Sequence, residues 1–478
     1  MTAAAKSLGE IITAMASTRV VVIGDLMLDR FIGGHIDRIS PEAPVPVLSL
    51  DQEINMPGGA SNVARNLAHL GCQVELIGVT GKDSDADALG EALAEEQEIR
   101  LHAIADGSRP TTLKTRFTAA GQQVLRVDRE VTTAVAGAIA TRLLKKAERC
   151  LARADILIVS DYNKGVINPA IAKALISMAR RLKVPVLADT KKTDVAVFAG
   201  ATIITPNMTE MRAITGQPLT THDDVAAAAM TMAKAHKIDH VLTTMSSDGI
   251  MLTSRKGTTA HSPARAKSVF DVSGAGDTVI ATMAAAMAAG DNAAGAMQLA
   301  NTAAGVVVGK RGTATVTPGE ILAEAAEPAA GDPAAALDLV KAWRAAGNLI
   351  GFTNGCFDRL HPGHLKVLAA AARTCDKLVV GLNSDQSTRQ LKGAGRPFQP
   401  EAVRAAVLAS LPMVDAVIIF DESTPARLIR AVQPDRLIKG GDYDPAKVVG
   451  RATVLKRGGK VVIIPLREGY STTRLSAL

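Results

Sequence analysis

Residues 357–365 read FDRLHPGHL, which sets His361 and His364 three apart around a Pro-Gly pair. Two imidazoles at that spacing are either half of a metal site or a pair of groups aimed at an anion. A structural metal wants more ligands than this stretch offers. No other histidine follows residue 345, and Cys356 has no CxxC partner. An apolar run at 349–352 precedes them and a helix is expected to begin at the Pro-Gly. Both rings then lie beside the free amides of a helix start, a place that binds phosphate. Imidazoles there can stabilise charge developing on an α-phosphate as pyrophosphate leaves.

A second segment, DVSGAGD at 271–277, is also built for phosphate. Gly274, Ala275 and Gly276 let backbone amides approach an anion with no bulky side chain in the way, forming an anion hole at a helix start. Asp277 there is held ionised and can take a proton. A glycine cradle with a carboxylate base suits phosphoryl transfer to a hydroxyl. It is not a Walker A loop: GVVVGKR from Gly305 has the wrong spacing and lacks the Ser/Thr for magnesium.

The elements that must position these groups read as alternating strands and helices. Strands are expected at 18–23, 156–159, 184–188, 201–205 and 240–244, with helices at 169–182 and 222–236 between some of them. That order argues for a parallel sheet covered on both faces. The Ala-rich stretch 279–289 reads as a buried helix. One region breaks the rhythm: 111–117 and 124–129 alternate apolar with polar around AAGQQ, an antiparallel hairpin. With 45–50 it would make a small flap. The text at 324–336, EAAEPAAGDPAAA, reads as a linker. After it a short helix (337–346) carries the single tryptophan, Trp343, and new strands follow at 349–352, 377–380, 416–420, 436–439 and 460–464. The expected division is 1–320, a linker at 321–344, and 345–478, the last being the size of one mononucleotide-binding unit.

Composition narrows the function classes. The chain has 478 residues and a net charge of +7, but its basic residues are scattered, and aromatics are only 3%. Neither a basic tract nor a set of stacking rings supports nucleic-acid binding. Small phosphorylated substrates account for the charge. Four separated cysteines (Cys72, Cys150, Cys356, Cys375) and the lack of a long apolar run suggest a reduced, cytoplasmic protein with no membrane span.

Two family resemblances then appear. PGGASNVARNLAHLG from Pro57 together with DVSGAGD resembles the paired signatures of the ribokinase-type sugar kinases, and TPNMTE (205–210) is similar to their Asn-x-x-Glu. The resemblance implies a three-layer α/β domain with a β lid, often paired into a homodimer through that lid. It implies Asp277 as base and Gly274 to Gly276 as anion hole. Asn207, Met208, Thr209 and Glu210 would handle Mg-ATP, with Glu210 reaching Mg2+ through water, and Asn301 would lie near adenine. Asp25, Gly58, Gly59 and Asn62 would bind sugar hydroxyls. TMSSDG (244–249) departs from the family's Thr-x-Gly-x-x-Gly, with Ser246 in place of the first glycine. RISPEAPVPVL (38–48) and SDYNKG (160–165) resemble the heptose 7-phosphate kinase branch, which brings Asp161, Lys164 and Lys192 near the substrate. Lys192 taken alone reads equally as a solvated lysine.

The last 130 residues resemble the HxGH cytidylyltransferase-like nucleotidyltransferases, a smaller Rossmann-like domain. The resemblance gives His361 and His364 the transition state. Lys392 and Arg396 go to the phosphates, as do Ser471, Thr472 and Thr473 of the terminal STTR. Kinase, linker and transferase in this order resemble the fused heptose 7-phosphate kinases and heptose 1-phosphate adenylyltransferases of ADP-heptose synthesis. The implied function is phosphorylation at C1, then adenylyl transfer from ATP, for the lipopolysaccharide core. Another sugar phosphate, CTP as donor, or a silent nucleotide-binding regulator remain open at this point.

Overall fold

The structure is a computed structural model describing residues 8–264, 271–272, 274–310, 312–325, 333–393, 395–441 and 444–464. It divides into two compact units, Met1–Ile321 and Leu322–Leu478.

The first unit is organised by a nine-stranded sheet. One of its interior strands, Arg19–Gly24, is RVVVIG and is buried from the second residue on. It pairs in parallel with Gln73–Thr80 and Ile156–Asp161. A run of β-branched residues with both faces covered is what a central parallel strand requires. The remaining parallel strands are Ile99–Ala105, Val186–Thr190, Ile203–Ile204 and His240–Thr244. Ile250–Ser254 and Thr259–Ser262 finish one edge antiparallel. Helix Pro169–Leu182 starts where Asn168 accepts from the amides of Ala170 and Ile171, and ends at Lys183 in the left-handed region. Helix Ala275–Ala288 is buried continuously from Asp277 to Ala286. Its small side chains let it lie against helices Ala60–His69 and Ala293–Val307.

The expected flap is a four-stranded sheet. Hairpin Thr112–Ala119 and Gln122–Arg129 closes through Ala120 and Gly121, both at positive φ (49° and 77°), the geometry of a type I′ turn. Leu26–Ile39 lies beside it in parallel and pairs antiparallel with Pro46–Gly59, much longer than the expected 45–50. Leu26–Ile39 was not anticipated, because its outer half (IGGHIDRI) lacks an apolar run.

The second unit is a five-stranded parallel sheet in the order Ala416–Phe420, Lys377–Asn383, Ile350–Gly355, Arg436–Gly440, Lys460–Ile464. The chain builds outward from Ile350–Gly355 on one flank, then returns to build on the other. That makes the carboxyl end of this strand a topological switch point, where ligands bind in open α/β sheets. Helix Pro333–Ala345 extends the expected helix 337–346 back into the 324–336 stretch read as linker, and its Ala336, Val340 and Trp343 are buried against Ile350 and Phe352.

Candidate active sites

Asp277 sits in the first turn of helix Ala275–Ala288, which Gly274 caps at φ 82°. A Cβ on Gly274 would come 3.2 Å from Asn62 Nδ2, whereas one on Gly276 would meet nothing within 4 Å. The two glycines therefore do different work: one permits a left-handed turn, the other leaves space above the helix start. Both carboxylate oxygens of Asp277 are held. Asn62 Nδ2 donates to Oδ2 at 2.7 Å, and the Tyr162 hydroxyl donates to Oδ1. Burial pushes the Asp277 carboxyl above its ordinary pKa, while these two donors and Lys191 pull against it. Burial and the neighbouring Asp277 keep Tyr162 protonated. The base is thus oriented by two neutral donors and poised to take a proton.

A cavity of about 780 Å3 opens at this helix start. Gly274, Ala275, Gly276, Asp277, Asn207, Glu210 and Asn301 line it, as the sequence led us to expect. Tyr162, Asp189 and Lys191 line it too; Tyr162 lies within SDYNKG but was given no role there, and no motif pointed to Asp189 or Lys191. Asn207 and Glu210 form a reciprocal helix cap: Asn207 Oδ1 accepts from the Glu210 amide and Glu210 Oε2 from the Asn207 amide, each at 2.9 Å. Glu210 Oε1 is free to take Lys191 Nζ at 2.7 Å. Asp189 is pushed up to about 6 by burial, with Asp277 and Glu210 adding repulsion against the pull of Lys191. Three carboxylates share one ammonium here, a deficit of positive charge that suits a divalent cation.

Met208 and Thr209 stand apart from this arrangement. Met208 packs on the core and Thr209 is exposed. Asn301 is fixed by Ser262 Oγ at 2.8 Å and the Pro263 carbonyl at 2.7 Å. Ser246 adopts φ 53°, the left-handed backbone that glycine gives freely. The turn is therefore kept despite the replacement, and Ser246 still borders the cavity.

The groups assigned to sugar divide. Asn62 reaches the site, holding the base while its Oδ1 is buried with no partner among the described residues. Gly58 and Gly59 sit at the foot of the lid, where a Cβ on Gly58 would meet Asp29 Oδ2 at 2.3 Å. Asp25 turns inward: its carboxylate accepts the amides of Tyr162, Lys164 and Val166 at 2.8, 3.1 and 3.2 Å. It anchors the loop that delivers Tyr162. Asp161 is wholly buried and paired with Lys192, whose Nζ also donates to the Ile167 carbonyl at 2.6 Å. Lys164 Nζ pairs with Glu130 at 2.7 Å. Asp161 and Lys192 are thus a structural pair beneath the loop.

In the second unit His361 is the N-cap of helix Pro362–Ala372, with proline at the first helical position. The rings of His361 and His364 stack with centroids 3.8 Å apart, and Phe357 lies 5.1 Å from His364. Nδ1 of each histidine is buried with no partner among the described residues. Burial lowers the pKa of both, with the charge of Lys392 adding to it; His364, which also faces His361, falls to about 4. Two imidazoles, each with one buried nitrogen unpartnered among the described residues, beside a helix start and a lysine describe a place suited to an anion. Lys392 ends helix Asp385–Lys392 and is exposed. Arg396 is committed to Asp358 and lies over the Phe398 ring at 4.1 Å. Ser471, Thr472 and Thr473 lie outside the described residues.

Arg404, unforeseen in the sequence, is fully buried and ties this site together. Its guanidinium donates to the carbonyls of Cys356 (2.6 Å) and Asn383 (2.8 Å) and to Asp385 (2.7 Å). It fixes the loop before the histidines to the next strand's end.

Residues 17–319 match the pfkB family carbohydrate kinase description, and residues 352–476 the cytidylyltransferase-like description. The chain is 46% identical to the bifunctional protein HldE of Paramagnetospirillum magneticum, over 98% of its own length and 97% of the relative's. It is 47% identical to that of Caulobacter vibrioides, over 97% of each. Among solved structures, Arabidopsis thaliana ribokinase complexed with ribose and ATP aligns with TM-score 0.53 and 22% identity, covering 64% of this chain and 98% of that one. Phosphofructokinase-2 from Escherichia coli aligns at 0.55 with 20% identity, covering 64% and 97%. The two structures speak to the fold of the first unit. Among the described residues, no helix is long and apolar enough to cross a membrane.

Proposed function

The chain belongs to the pfkB carbohydrate kinases, joined to a cytidylyltransferase-like unit as in the bifunctional HldE proteins, and on that premise we propose its two reactions. It is a bifunctional enzyme of ADP-heptose biosynthesis. The first unit phosphorylates D-glycero-β-D-manno-heptose 7-phosphate at C1 with ATP. The second transfers adenylyl from ATP to the heptose 1-phosphate, giving ADP-heptose and pyrophosphate for the lipopolysaccharide core. The observation that carries the first reaction is Asp277: a buried carboxylate at a glycine-lined helix start, held by Asn62 and Tyr162.

In the kinase, Asp277 accepts the C1 hydroxyl proton as that oxygen bonds the γ-phosphorus and ADP leaves. The helix-start amides receive charge on the transferring phosphoryl group. Lys191, paired with Glu210, stands beside the path of the phosphates. Glu210 and Asp189 are the carboxylates suited to hold Mg2+ through water, where it would neutralise phosphate charge. In the transferase, a phosphate oxygen of the sugar is already nucleophilic, so His361 and His364 act by stabilising the α-phosphate as pyrophosphate departs. The bisphosphate made first must lose its 7-phosphate to a phosphatase before the second step. The working division is 1–320, a linker at 321–344 and 345–478.

The test of the sugar is ADP release by the full chain with the heptose 7-phosphate, fructose 6-phosphate and ribose. The heptose phosphate should lead in kcat/KM by at least about 10²-fold, the discrimination expected when buried polar groups lose their substrate partners. Equal rates with either other sugar contradict the assignment.

The lid is proposed to pair two copies of the chain. Its strands leave Leu50, Ile54, Val124, Leu125 and Val127 exposed, an apolar face unusual for a free sheet. Sedimentation of the wild type should give a dimer, and Leu125→Glu with Val127→Glu a monomer. A wild-type monomer at micromolar concentration contradicts the pairing.

A further inference from the structure

The groups placed so far in the second unit serve the nucleotide's phosphates, and none of them holds the acceptor. We infer that Lys439 binds the phosphate of the sugar 1-phosphate acceptor, at the topological switch point of the second sheet. The inference rests on the adenylyltransferase reading above.

Position comes first. Lys439 is near the carboxyl end of strand Arg436–Gly440. That strand pairs with Ile350–Gly355, Phe352 opposite Leu437, which brings Asn354 level with Lys439. The end of the strand also touches the helix carrying both histidines: a Cβ on Gly440 would meet Val367 Cγ2 at 2.6 Å. The ammonium therefore lies at the crevice end of the sheet, one strand from the loop leading to His361.

Its partners come next. Lys439 Nζ donates to Asn354 Oδ1 at 2.5 Å. No carboxylate faces it among the described residues, and burial alone draws its pKa down to about 8. An ammonium carries three donors, and among the described residues one is used here. A cation withdrawn from water without a counter-ion is costly, and a bound anion removes that cost.

The side of the site then selects the anion. Helix Asp385–Lys392 follows strand Lys377–Asn383, so Lys392 lies on one flank of the switch point, while helix Pro362–Ala372, with His361 and His364 at its start, packs over strands of both flanks. Lys439 is on the strand at the other flank. In-line displacement needs the attacking oxygen opposite the leaving one. With pyrophosphate leaving toward Lys392, the acceptor arrives from the side of Lys439. One oxygen of its phosphate bonds the α-phosphorus, and the bond from that phosphorus to the bridging oxygen of pyrophosphate breaks with its electron pair. Lys439 keeps its proton throughout and positions the dianion.

Full-chain Lys439→Met and Lys439→Gln test this, with ATP and heptose 1-phosphate varied separately. Gln can still bond to Asn354, so it removes the charge while sparing that contact. Both variants should raise KM for the sugar 1-phosphate about 10- to 100-fold, the range for a charge-assisted hydrogen bond, and leave KM for ATP within about threefold. Lys439→Arg should recover part of the loss. The unchanged KM for ATP in the same transferase assay reports that the second unit has folded. A rise in KM for ATP alone, or a Gln variant matching wild type on both substrates, overturns the inference. Wild type that never turns over the sugar 1-phosphate overturns the transferase reading itself.

Discussion

Asp277→Asn is expected to lower kcat of the kinase by about 10²–10⁴ while leaving adenylyl transfer unchanged. The change is nearly isosteric. The new amide can present its oxygen to Asn62 Nδ2 and its NH2 to the Tyr162 oxygen, since a phenol accepts as well as donates. The buried helix Ala275–Ala288 should stay as it is. What disappears is the group proposed to take the C1 hydroxyl proton. Binding of ATP, which depends on the cavity walls, should change little. Stopped-time assays of ADP release, with the second reaction followed on the same sample, separate chemistry from folding. Kinase turnover within tenfold of wild type would remove Asp277 from the role of base.

His364→Ala is expected to be the mirror image, costing adenylyl transfer about 10²–10³ in kcat with the kinase untouched. The ring is held between His361 and Phe357, and its Nδ1 has no partner among the described residues. In the free protein it is neutral at neutral pH, because burial and the nearby positive groups oppose a second proton. A triphosphate reverses that balance, so the imidazole donates most strongly when charge builds on the α-phosphate. The effect should therefore fall on kcat, with KM for ATP changing by much less. A loss confined to KM would make His364 a binding residue only.

The sequence was most legible where local chemistry alone set the structure. Apolar β-branched runs such as RVVVIG became buried parallel strands, and glycines or a Pro-Gly marked the two helix starts proposed to hold phosphate. Tyr162 follows strand Ile156–Asp161, while Asp189 and Lys191 stand at the end of Val186–Thr190, and they acquire their roles only when the sheet brings those two ends together. Charged residues in quoted motifs misled for a related reason. Asp25 and Asp161 lie beside the site, yet their carboxylates turn toward loop amides and Lys192. Sequence shows that a carboxylate is present; only packing decides which way it faces. Arg404 was invisible for the same cause, as nothing in spacing distinguishes a buried cation from a solvated one. The strand Leu26–Ile39 was lost because a sheet with a wet face needs no apolar run.

The central claim, two successive reactions on one end of one sugar, is tested most directly by phosphorus NMR. The purified chain is given D-glycero-D-manno-heptose 7-phosphate and Mg-ATP, and then a phosphatase specific for the 7-phosphate. The account predicts the 1,7-bisphosphate and ADP alone at first, then ADP-heptose and pyrophosphate once the 7-phosphate is removed. Nucleotide sugar before the phosphatase, or neither product after it, would contradict the account.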